Sequence, residues 1–412
     1  MKKAVAALIA LLLLTSCSGN STDKLNDFTD NGAVVSWKGM PFYSTGNLYY
    51  ETLTYEDGGF YWRLEDGFEK LSDIGGNRLW SYNGAAYFNT NPWIDKTAAI
   101  YRAGISVYSS PEKLMDGKLN FVSNSGLMCW TDNRDIYTAD IYGSNKKLVA
   151  SGGNYLNLYH DVVYYSTNEN DVRPSSVSLF AYNIITEETT ELATHAPDLE
   201  RPLVYLQIPQ LEVVGDRVVY SVGDYMGSGH YFTGEIISMR KDGSKSKKIH
   251  SVEHSDFDEF HKFKDKIIYQ QILGEVKLIT VKDGKEKTLD KKVHRIVKAY
   301  VDYIYYQTEN GDLYRCNTNF EKDGLIVKAA SLPNEFRKEG DHLIFKSLDI
   351  IDNTLYFTAD VWGYRVSYGW RNQLLNRVFG QVNIIRTDED ETNLKIHLHI
   401  ISDTQNETEI IE

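Results

Sequence analysis

The stretch YVDYIYYQTENGDLYRCNT (residues 300–318) contains the pattern from which the fold follows. An apolar run ends in the pair Tyr305 and Tyr306, a polar turn containing Gly311 comes next, and a second run begins at Leu313. Aromatic and β-branched side chains pack well on a pleated surface, and glycine supplies the positive φ of a tight turn. The stretch therefore predicts two antiparallel strands joined by a hairpin turn.

This aromatic run recurs along most of the chain. Seven intervals cover the 307 residues between Tyr49 and Tyr356, so the mean spacing is roughly 44 residues, within the range typical of propellers and solenoids. The eight runs are Leu48-Tyr49-Tyr50, Ala86-Tyr87-Phe88, Met128-Cys129-Trp130, Val163-Tyr164-Tyr165, Val219-Tyr220, Ile268-Tyr269, Ile304-Tyr305-Tyr306 and Leu355-Tyr356-Phe357.

Each repeat contains further strand-like runs around the aromatic run. A second run follows it, as in residues 60–63, 100–102 and 313–315, and a turn and a third run follow that one. Asp-Gly and Gly-Ser turns in residues 239–249 and 141–148 are hairpin signals. Because another apolar run often precedes the aromatic run, each repeat predicts about four short antiparallel strands.

Repeats of this kind favour stacked sheets. A lone four-stranded sheet with apolar residues on both faces would leave them in water, and each large side chain gains roughly 1.5–3 kcal/mol on burial. Twisted sheets that stack radially close into a ring and protect their edges. We therefore predict an all-β chain, a β-propeller of seven or eight four-stranded blades. Seven blades would result if the first and last repeats shared one blade.

Two repeats resemble those of a known group of proteins. Residues 305–327 (YYQTENGDLYRCNTNFEKDGLIV) and 164–192 resemble bacterial propeller repeats of the YWTD and TolB-like kind, and Cys129-Trp130-Thr131-Asp132 is the stretch nearest to the YWTD motif. The resemblance extends over roughly residues 33–400 and implies a β-propeller. Many such proteins carry lipoprotein signals and have no assigned activity.

The N-terminus indicates export and a lipid anchor. Lys2 and Lys3 precede an apolar segment at 4–13, which is shorter than the about 20 residues of a membrane-spanning helix. Such a segment is typical of a signal peptide. Leu14-Thr15-Ser16-Cys17 resembles the lipobox of bacterial lipoproteins, which implies that Cys17 is lipidated and becomes the new N-terminus.

These features predict the domain organisation and the location. We expect a signal peptide at 1–16, a flexible tether at 17–32, the propeller at 33–400 and a disordered acidic tail at 401–412. The protein would be tethered to a membrane through Cys17, without spanning it, and would face the extracytoplasmic side of a bacterial cell envelope. The sequence leaves the Gram type of the host open.

Charge and cysteine content restrict the partners. The formal net charge of −13 argues against nucleic acid as a partner, since nonspecific binding to nucleic acid needs a basic field. Residues 241–248 (KDGSKSKK) are locally basic, and we interpret them as a solvated hairpin turn. Cys129 and Cys316 lie in different repeats and are expected to be separate buried or half-buried thiols.

The candidate ligand-binding residues are aromatic. They lie in long segments that we expect to connect strands, where binding residues of a rigid scaffold often occur. The residues are Trp93, Trp362, Tyr364, Tyr368 and Trp370.

Residues with catalytic or metal-binding chemistry form weaker patterns. Gly227-Ser228-Gly229 lacks the context of a nucleophile elbow, and His397 and His399 are too few ligands for a zinc site. The acidic stretch 254–261 does not match a calcium loop. We therefore assign no catalytic residue, no metal ligand and no cofactor.

The sequence favours a monomeric, non-catalytic module that binds a protein or an envelope glycan. The alternative is an extracytoplasmic enzyme that processes glycan or peptide on a propeller scaffold. A convergent cluster of carboxylates or histidines would favour the enzyme.

Overall fold

The computed structural model describes a chain whose regular elements are all strands. It describes residues 34–401 with internal gaps. The gaps are 38–39, 46–58, 65–66, 73, 75, 77–78, 91–97, 106–108, 124, 169–175, 197–205, 227–230, 257–258, 271–274, 290–292, 301–302, 318–319, 321–323, 328–341, 352–353, 368–369 and 384–395. Within the described ranges there is no helix, and hence none long and apolar enough to cross a membrane.

The strands form eight antiparallel sheets, numbered 1 to 8 in chain order, and each uses consecutive strands. Sheet 1 contains β1 (Val34–Trp37), β2 (Met40–Thr45), β3 (Gly59–Leu64) and β4 (Gly67–Ser72). Sheet 2 contains β5 (Trp80–Tyr82), β6 (Ala85–Asn89), β7 (Ala99–Ala103) and β8 (Glu112–Asp116). Sheet 3 contains β9 (Lys118–Val122), β10 (Leu127–Asp132), β11 (Asp135–Asp140) and β12 (Lys147–Ala150). Sheet 4 contains β13 (Asn154–Tyr159), β14 (Val162–Asn168), β15 (Val177–Asn183) and β16 (Thr189–His195).

Sheet 5 has an interrupted first strand, because β17 and β18 both pair with β19. It contains β17 (Leu206–Gln207), β18 (Leu211–Val214), β19 (Arg217–Met226), β20 (Tyr231–Arg240) and β21 (Lys247–Asp256). Sheet 6 contains β22 (Glu259–Phe263), β23 (Lys266–Gln270), β24 (Val276–Thr280) and β25 (Glu286–Leu289). Sheet 7 contains β26 (Val293–Tyr300), β27 (Tyr303–Thr308), β28 (Leu313–Asn317) and β29 (Gly324–Val327). Sheet 8 contains β30 (His342–Ile351), β31 (Thr354–Ser367), β32 (Trp370–Asn383) and β33 (Ile396–Ile401).

The aromatic runs occupy the second strand of their sheets, as predicted. The seven runs from Tyr87 to Tyr356 all lie in such strands, whereas Tyr49 lies outside the described residues. In sheet 1 the second strand is Met40–Thr45. Within the described residues the first and last repeats lie in separate sheets, and the number of blades stays a prediction.

Neighbouring sheets stack face to face, and their apolar side chains form the core. Successive residues of a second strand enter different cores: Tyr164 packs between sheets 4 and 5, whereas Val163 and Tyr165 pack between sheets 3 and 4. The same alternation separates Tyr220 from Val219 in sheet 5. Because both faces of a sheet are covered, its second strand is apolar at consecutive positions. This stacked arrangement of small sheets is a β-propeller.

The first strands of consecutive sheets are neighbours, and amide side chains join them. Gln270, at the end of β23, accepts a hydrogen bond from Ile296 N (2.6 Å) and donates one to His294 O (2.8 Å) in β26. Gln210 likewise accepts from Phe260 N (3.0 Å) and donates to Phe260 O in β22. We call these contacts the amide clamps. They satisfy backbone groups that the sheets' own ladders leave unpaired.

The two remaining cysteines are confirmed as separate buried thiols. Cys129 lies in β10 and Cys316 in β28, each is completely buried, and neither forms a disulfide. Burial raises the pKa of the Cys129 thiol, which keeps it in the unreactive protonated form.

The amide clamp between sheets 6 and 7 can be tested by substitution. Gln270→Ala removes the partners of Ile296 N and His294 O, so we expect the free energy of unfolding to fall by about 1–3 kcal/mol in denaturant titrations. Gln270→Glu keeps the acceptor for Ile296 N, so its free energy of unfolding should fall by less than that of Gln270→Ala. Equal stability of the wild type and Gln270→Ala would contradict the clamp.

Candidate binding surfaces

The antiparallel strand order gives each sheet two different ends. The turn between the first and second strands and the turn between the third and fourth strands lie at one end, which we call the hairpin end. The connection between the second and third strands and the connection to the next sheet lie at the opposite end, which we call the loop end. Backbone hydrogen bonds join the two turns of a sheet at the hairpin end, as from Ile184 N to Asp161 O (2.8 Å) and from Lys241 N to Asp216 O (3.2 Å).

Contacts between sheets hold the hairpin ends side by side. Ser125 donates to Asp161 across sheets 3 and 4 (Oγ to Oδ1, 3.3 Å). Lys247 of sheet 5 donates to the carbonyl oxygen of Asp283 in sheet 6 (2.9 Å). Lys241 of sheet 5 lies over the Tyr159 ring of sheet 4 (4.3 Å), so the hairpin ends of sheets 3 to 6 form a continuous surface.

Local sequence determines the turn geometry at this surface. Gly143 and Gly243 occupy the same position in sheets 3 and 5, with φ of 78° and 82°, a conformation that favours glycine. Asp140 and Asp242 accept hydrogen bonds from Ser144 N (2.9 Å) and Ser244 N (2.9 Å). These bonds confirm the prediction that Gly-Ser and Asp-Gly mark tight hairpins.

The hairpin ends of sheets 5 and 6 are strongly basic, and we call this part of the surface the basic end. It is formed by residues 215–217, 240–248, 262–266 and 281–287. These segments contain twelve lysine and arginine residues against five aspartate and glutamate residues, in a chain of net charge −13. Segment 241–248, interpreted from the sequence as a solvated turn, is thus one part of a larger patch.

Two lysines of the basic end lie over one tyrosine of sheet 4. The ammonium groups of Lys241 and Lys262 are 4.3 and 5.5 Å from the centre of the Tyr159 ring, a cation–π geometry. Burial lowers the pKa of Lys241 and the charge of Lys262 lowers it further, while Asp216 raises it. Positive charge is therefore concentrated where the first strands of sheets 4 and 6 approach each other.

Two large apolar side chains are exposed at the hairpin ends of the two sheets that precede the basic end in the chain. Tyr142 in sheet 3 is 64% exposed and Ile185 in sheet 4 is 72% exposed. Each follows a residue, Ile141 or Ile184, whose backbone N–H bonds to the other turn of its sheet. The two side chains thus occupy equivalent places in neighbouring sheets.

At the loop end, the structure corrects one expectation about the aromatic candidates. Trp362 and Tyr364 lie in β31 and Trp370 begins β32, so residues expected in a long connecting segment lie in a regular hairpin instead. The segment 222–234 is likewise mainly strand. Trp93 and Tyr368 lie outside the described residues.

The β31–β32 hairpin extends past the rest of sheet 8. β30 pairs with β31 only as far as Trp362, and β33 pairs with β32 only from Arg377 onward. Residues 363–367 pair with 370–374 and with no other strand of the described chain. We call this two-stranded part the ribbon.

The remaining sequence candidates do not form a site within the described residues. No group of three or more potential metal ligands occurs in that part of the chain. His254 and His261 lie in β21 and β22, and His397 and His399 lie in β33. Cys17 and the segment 227–230 lie outside the described ranges.

The sequence analysis missed the basic end as a surface. Its four segments are separated by up to 22 residues, and only the stacking of sheets 5 and 6 joins them. The available signal was the recurrence of lysines around Asp-Gly in consecutive third–fourth turns, at 241–248 and 282–287.

Histidines form a repeated contact between sheets. His195 in β16 meets Tyr220 of sheet 5 (Nε2 to hydroxyl, 2.9 Å), and the ring of His250 in β21 lies 4.6 Å from that of Tyr269 in sheet 6. Burial lowers the pKa of His195, and the opposing effect of Glu235 is smaller. Burial also raises the pKa of the Tyr220 hydroxyl.

The comparisons with known proteins identify a fold and no family. No family model and no curated protein matches the chain. The structure is similar to Porphyromonas gingivalis dipeptidyl peptidase 4, with a TM-score of 0.50 and 10% identity over 86% of this chain and 64% of that one. The chain thus spans less than two thirds of that peptidase.

Two further solved structures are similar at lower scores. They are an oligogalacturonate lyase in complex with manganese (TM-score 0.42, 10% identity, 67% of this chain and 82% of that one) and Pyrococcus horikoshii acylaminoacyl peptidase (0.43, 12%, 74% and 57%). At these identities the likeness is one of fold alone.

The depressed pKa of His195 gives the fold a pH dependence with a definite sign. The unfolded chain, with an ordinary histidine pKa of about 6.5, binds this proton more readily than the folded chain. Stability should therefore fall as the pH drops through about 6.5, by less than about 1.4 kcal/mol per pH unit for one proton.

The test compares denaturant titrations at several pH values. The free energy of unfolding of His195→Gln should fall less steeply below pH 6.5 than that of the wild type. The control His294→Gln, at an exposed position, should follow the wild type. Identical pH profiles for the wild type and His195→Gln would refute the assignment.

Proposed function

We propose that the protein is a bacterial lipoprotein, anchored to a membrane through Cys17, whose extracytoplasmic β-propeller binds a protein or an envelope glycan without catalysing a reaction. The observation that carries the proposal is the ribbon of sheet 8. The stacked sheets provide a rigid scaffold, and the ribbon projects from it at the loop end.

The ribbon is suited to binding because of its construction. A two-stranded hairpin alone is marginally stable in water, so a partner that covers it would stabilise it. Its strand edges beyond Trp362 are paired with no other strand within the described residues, and such edges accept a strand of a partner.

The ribbon and its base also carry residues typical of binding hot spots. Trp362, Tyr364 and Trp370 lie within nine positions, from Trp362 at the base to Trp370 at the tip. Tryptophan and tyrosine combine a large apolar area with a hydrogen-bonding atom, and they are enriched in hot spots and in sugar-binding surfaces.

The alternative is an enzyme that processes peptide or glycan outside the cytoplasm. It draws on the similarity to a dipeptidyl peptidase, which at 10% identity is a similarity of fold. Activity of the purified chain on a peptide and glycan panel, with no partner recovered from membranes, would support this alternative.

The ribbon can be tested by affinity recovery from native membranes. We expect the full-length protein to recover one partner in stoichiometric amount, and Trp370→Ala to weaken that complex about thirtyfold, as for an aromatic hot spot of 2 kcal/mol. Tyr303→Ala, a partly exposed aromatic in sheet 7, is the matched control and should bind normally. Unchanged binding by Trp370→Ala would remove the ribbon from the proposal.

The lipid anchor is tested separately. Cells supplied with labelled palmitate should incorporate the label into the wild type and not into Cys17→Ser, because the cysteine thiol is the site of lipid attachment. Fractionation should place the labelled protein with the membranes. Label that persists in Cys17→Ser would contradict the anchor.

A further inference from the structure

We propose that the hairpin end docks on an anionic lipid bilayer, with the lysines of the basic end against the lipid headgroups and Tyr142 and Ile185 at the interface. The inference rests on the proposed function only for the presence of a membrane nearby. The hairpin end, to which it assigns the bilayer, has no role in the binding proposed for the ribbon.

Charge segregation is the first argument. The basic end holds an excess of seven positive charges, although the whole chain has a net charge of −13, so the remainder is strongly negative. A negatively charged bilayer attracts the basic end and repels the rest, and this difference orients the propeller.

The second argument is the accessibility of the lysines. Lys245, Lys282 and Lys285 lie in the third–fourth turns of sheets 5 and 6 and are exposed. The attraction of a charged membrane extends over about 8–10 Å at physiological ionic strength, so charges at the tips of turns contribute most.

Rigidity is the third argument. The bonds from Lys241 N to Asp216 O and from Lys247 Nζ to Asp283 O tie the turns of sheets 5 and 6 to one another. A surface that is already ordered loses little conformational entropy when it binds.

The acidic groups of the basic end do not cancel its charge. Asp265 pairs with Lys266 (3.0 Å) and Asp283 with Lys285 (3.1 Å). Hydrogen bonds from Ser244 keep the pKa of Asp242 below its usual range, so this carboxylate is ionised and is counted among the five negative charges. The excess of seven remains after all five are included.

The apolar side chains favour a bilayer over a soluble anionic polymer. Tyr142 and Ile185 are exposed at the hairpin ends of sheets 3 and 4, on the same surface as the lysines, and such side chains gain free energy at the boundary between headgroups and acyl chains. Sheet 4 also carries Glu187 and Glu188, and Lys147 of sheet 3 pairs with Glu187, so the excess of positive charge lies in sheets 5 and 6.

Docking in this orientation has a functional consequence. The lipid on Cys17 would keep the propeller near the membrane, and the polybasic surface would add an electrostatic attraction that fixes its orientation. Because the hairpin and loop ends are opposite, the ribbon of sheet 8 would point away from the bilayer toward the envelope space.

The experiment measures lysine acetylation by mass spectrometry. Full-length protein is reconstituted on vesicles of phosphatidylcholine, with or without phosphatidylglycerol. We expect Lys282 and Lys285 to be acetylated at least about fivefold more slowly on the phosphatidylglycerol vesicles, the factor expected from one lysine at a charged surface. Lys118, which begins β9 at the loop end, should react equally on both, and about 1 M salt should abolish the difference.

Two matched variants change the net charge equally. Lys245→Glu with Lys264→Glu should remove the protection of Lys282, whereas Lys113→Glu with Lys118→Glu should leave it intact. Protection that survives the first variant, or equal acetylation on both kinds of vesicle, would overturn the proposal. Protection by soluble polyphosphate without protection on anionic vesicles would also overturn it, and would identify an anionic polymer as the occupant.

The readout involves neither the ribbon nor its partner. The docking can therefore fail while Trp370 still determines partner recovery, and the ribbon can fail while the lysines remain protected.

Discussion

The burial of aromatic side chains between stacked sheets is the interaction on which this structure depends. Tyr87, Trp130, Tyr220 and Tyr306 are almost completely buried, each in a core shared by two sheets. A sheet of four short strands cannot cover both of its own faces, so it is stable only between neighbours. Stability and stacking are therefore one property of this chain, and the loss of one interface would expose apolar area on two sheets.

Stacking also explains where function can lie. The faces of the sheets are used for packing, which leaves the two ends of the strands for recognition. At the hairpin end the turns are short and joined by backbone hydrogen bonds, so their side chains form a fixed charged surface. At the loop end the connections are longer, and in sheet 8 they extend into a ribbon. The two ends thus differ in the length of their connections, and they suit different partners.

The sequence predicted the local elements well, because their causes are local. Seven aromatic runs lie in second strands, and the Asp-Gly and Gly-Ser turns lie where the glycine φ values require them. It failed for the amide clamps, because Gln210 and Gln270 look like ordinary polar residues at the ends of strands. Their bonding partners lie 50 and 26 residues further along the chain, in the next sheet. It also placed Trp362 and Tyr364 in a connecting segment, because the repeat predicted short strands and not the 14-residue strands β31 and β32.

By itself, the sequence determined the repeat, the four-stranded unit and the need for stacking, because apolar runs at intervals of roughly 44 residues have no other way to leave water. Tertiary structure alone decided which separate turns meet. The basic end combines four segments of sheets 5 and 6, and Lys241 and Lys262 lie over Tyr159 only because sheets 4 to 6 are stacked. The physical reason is the distance in sequence between the residues that interact. Strand and turn formation depend on adjacent residues, whereas a surface depends on how separately formed sheets are placed beside each other.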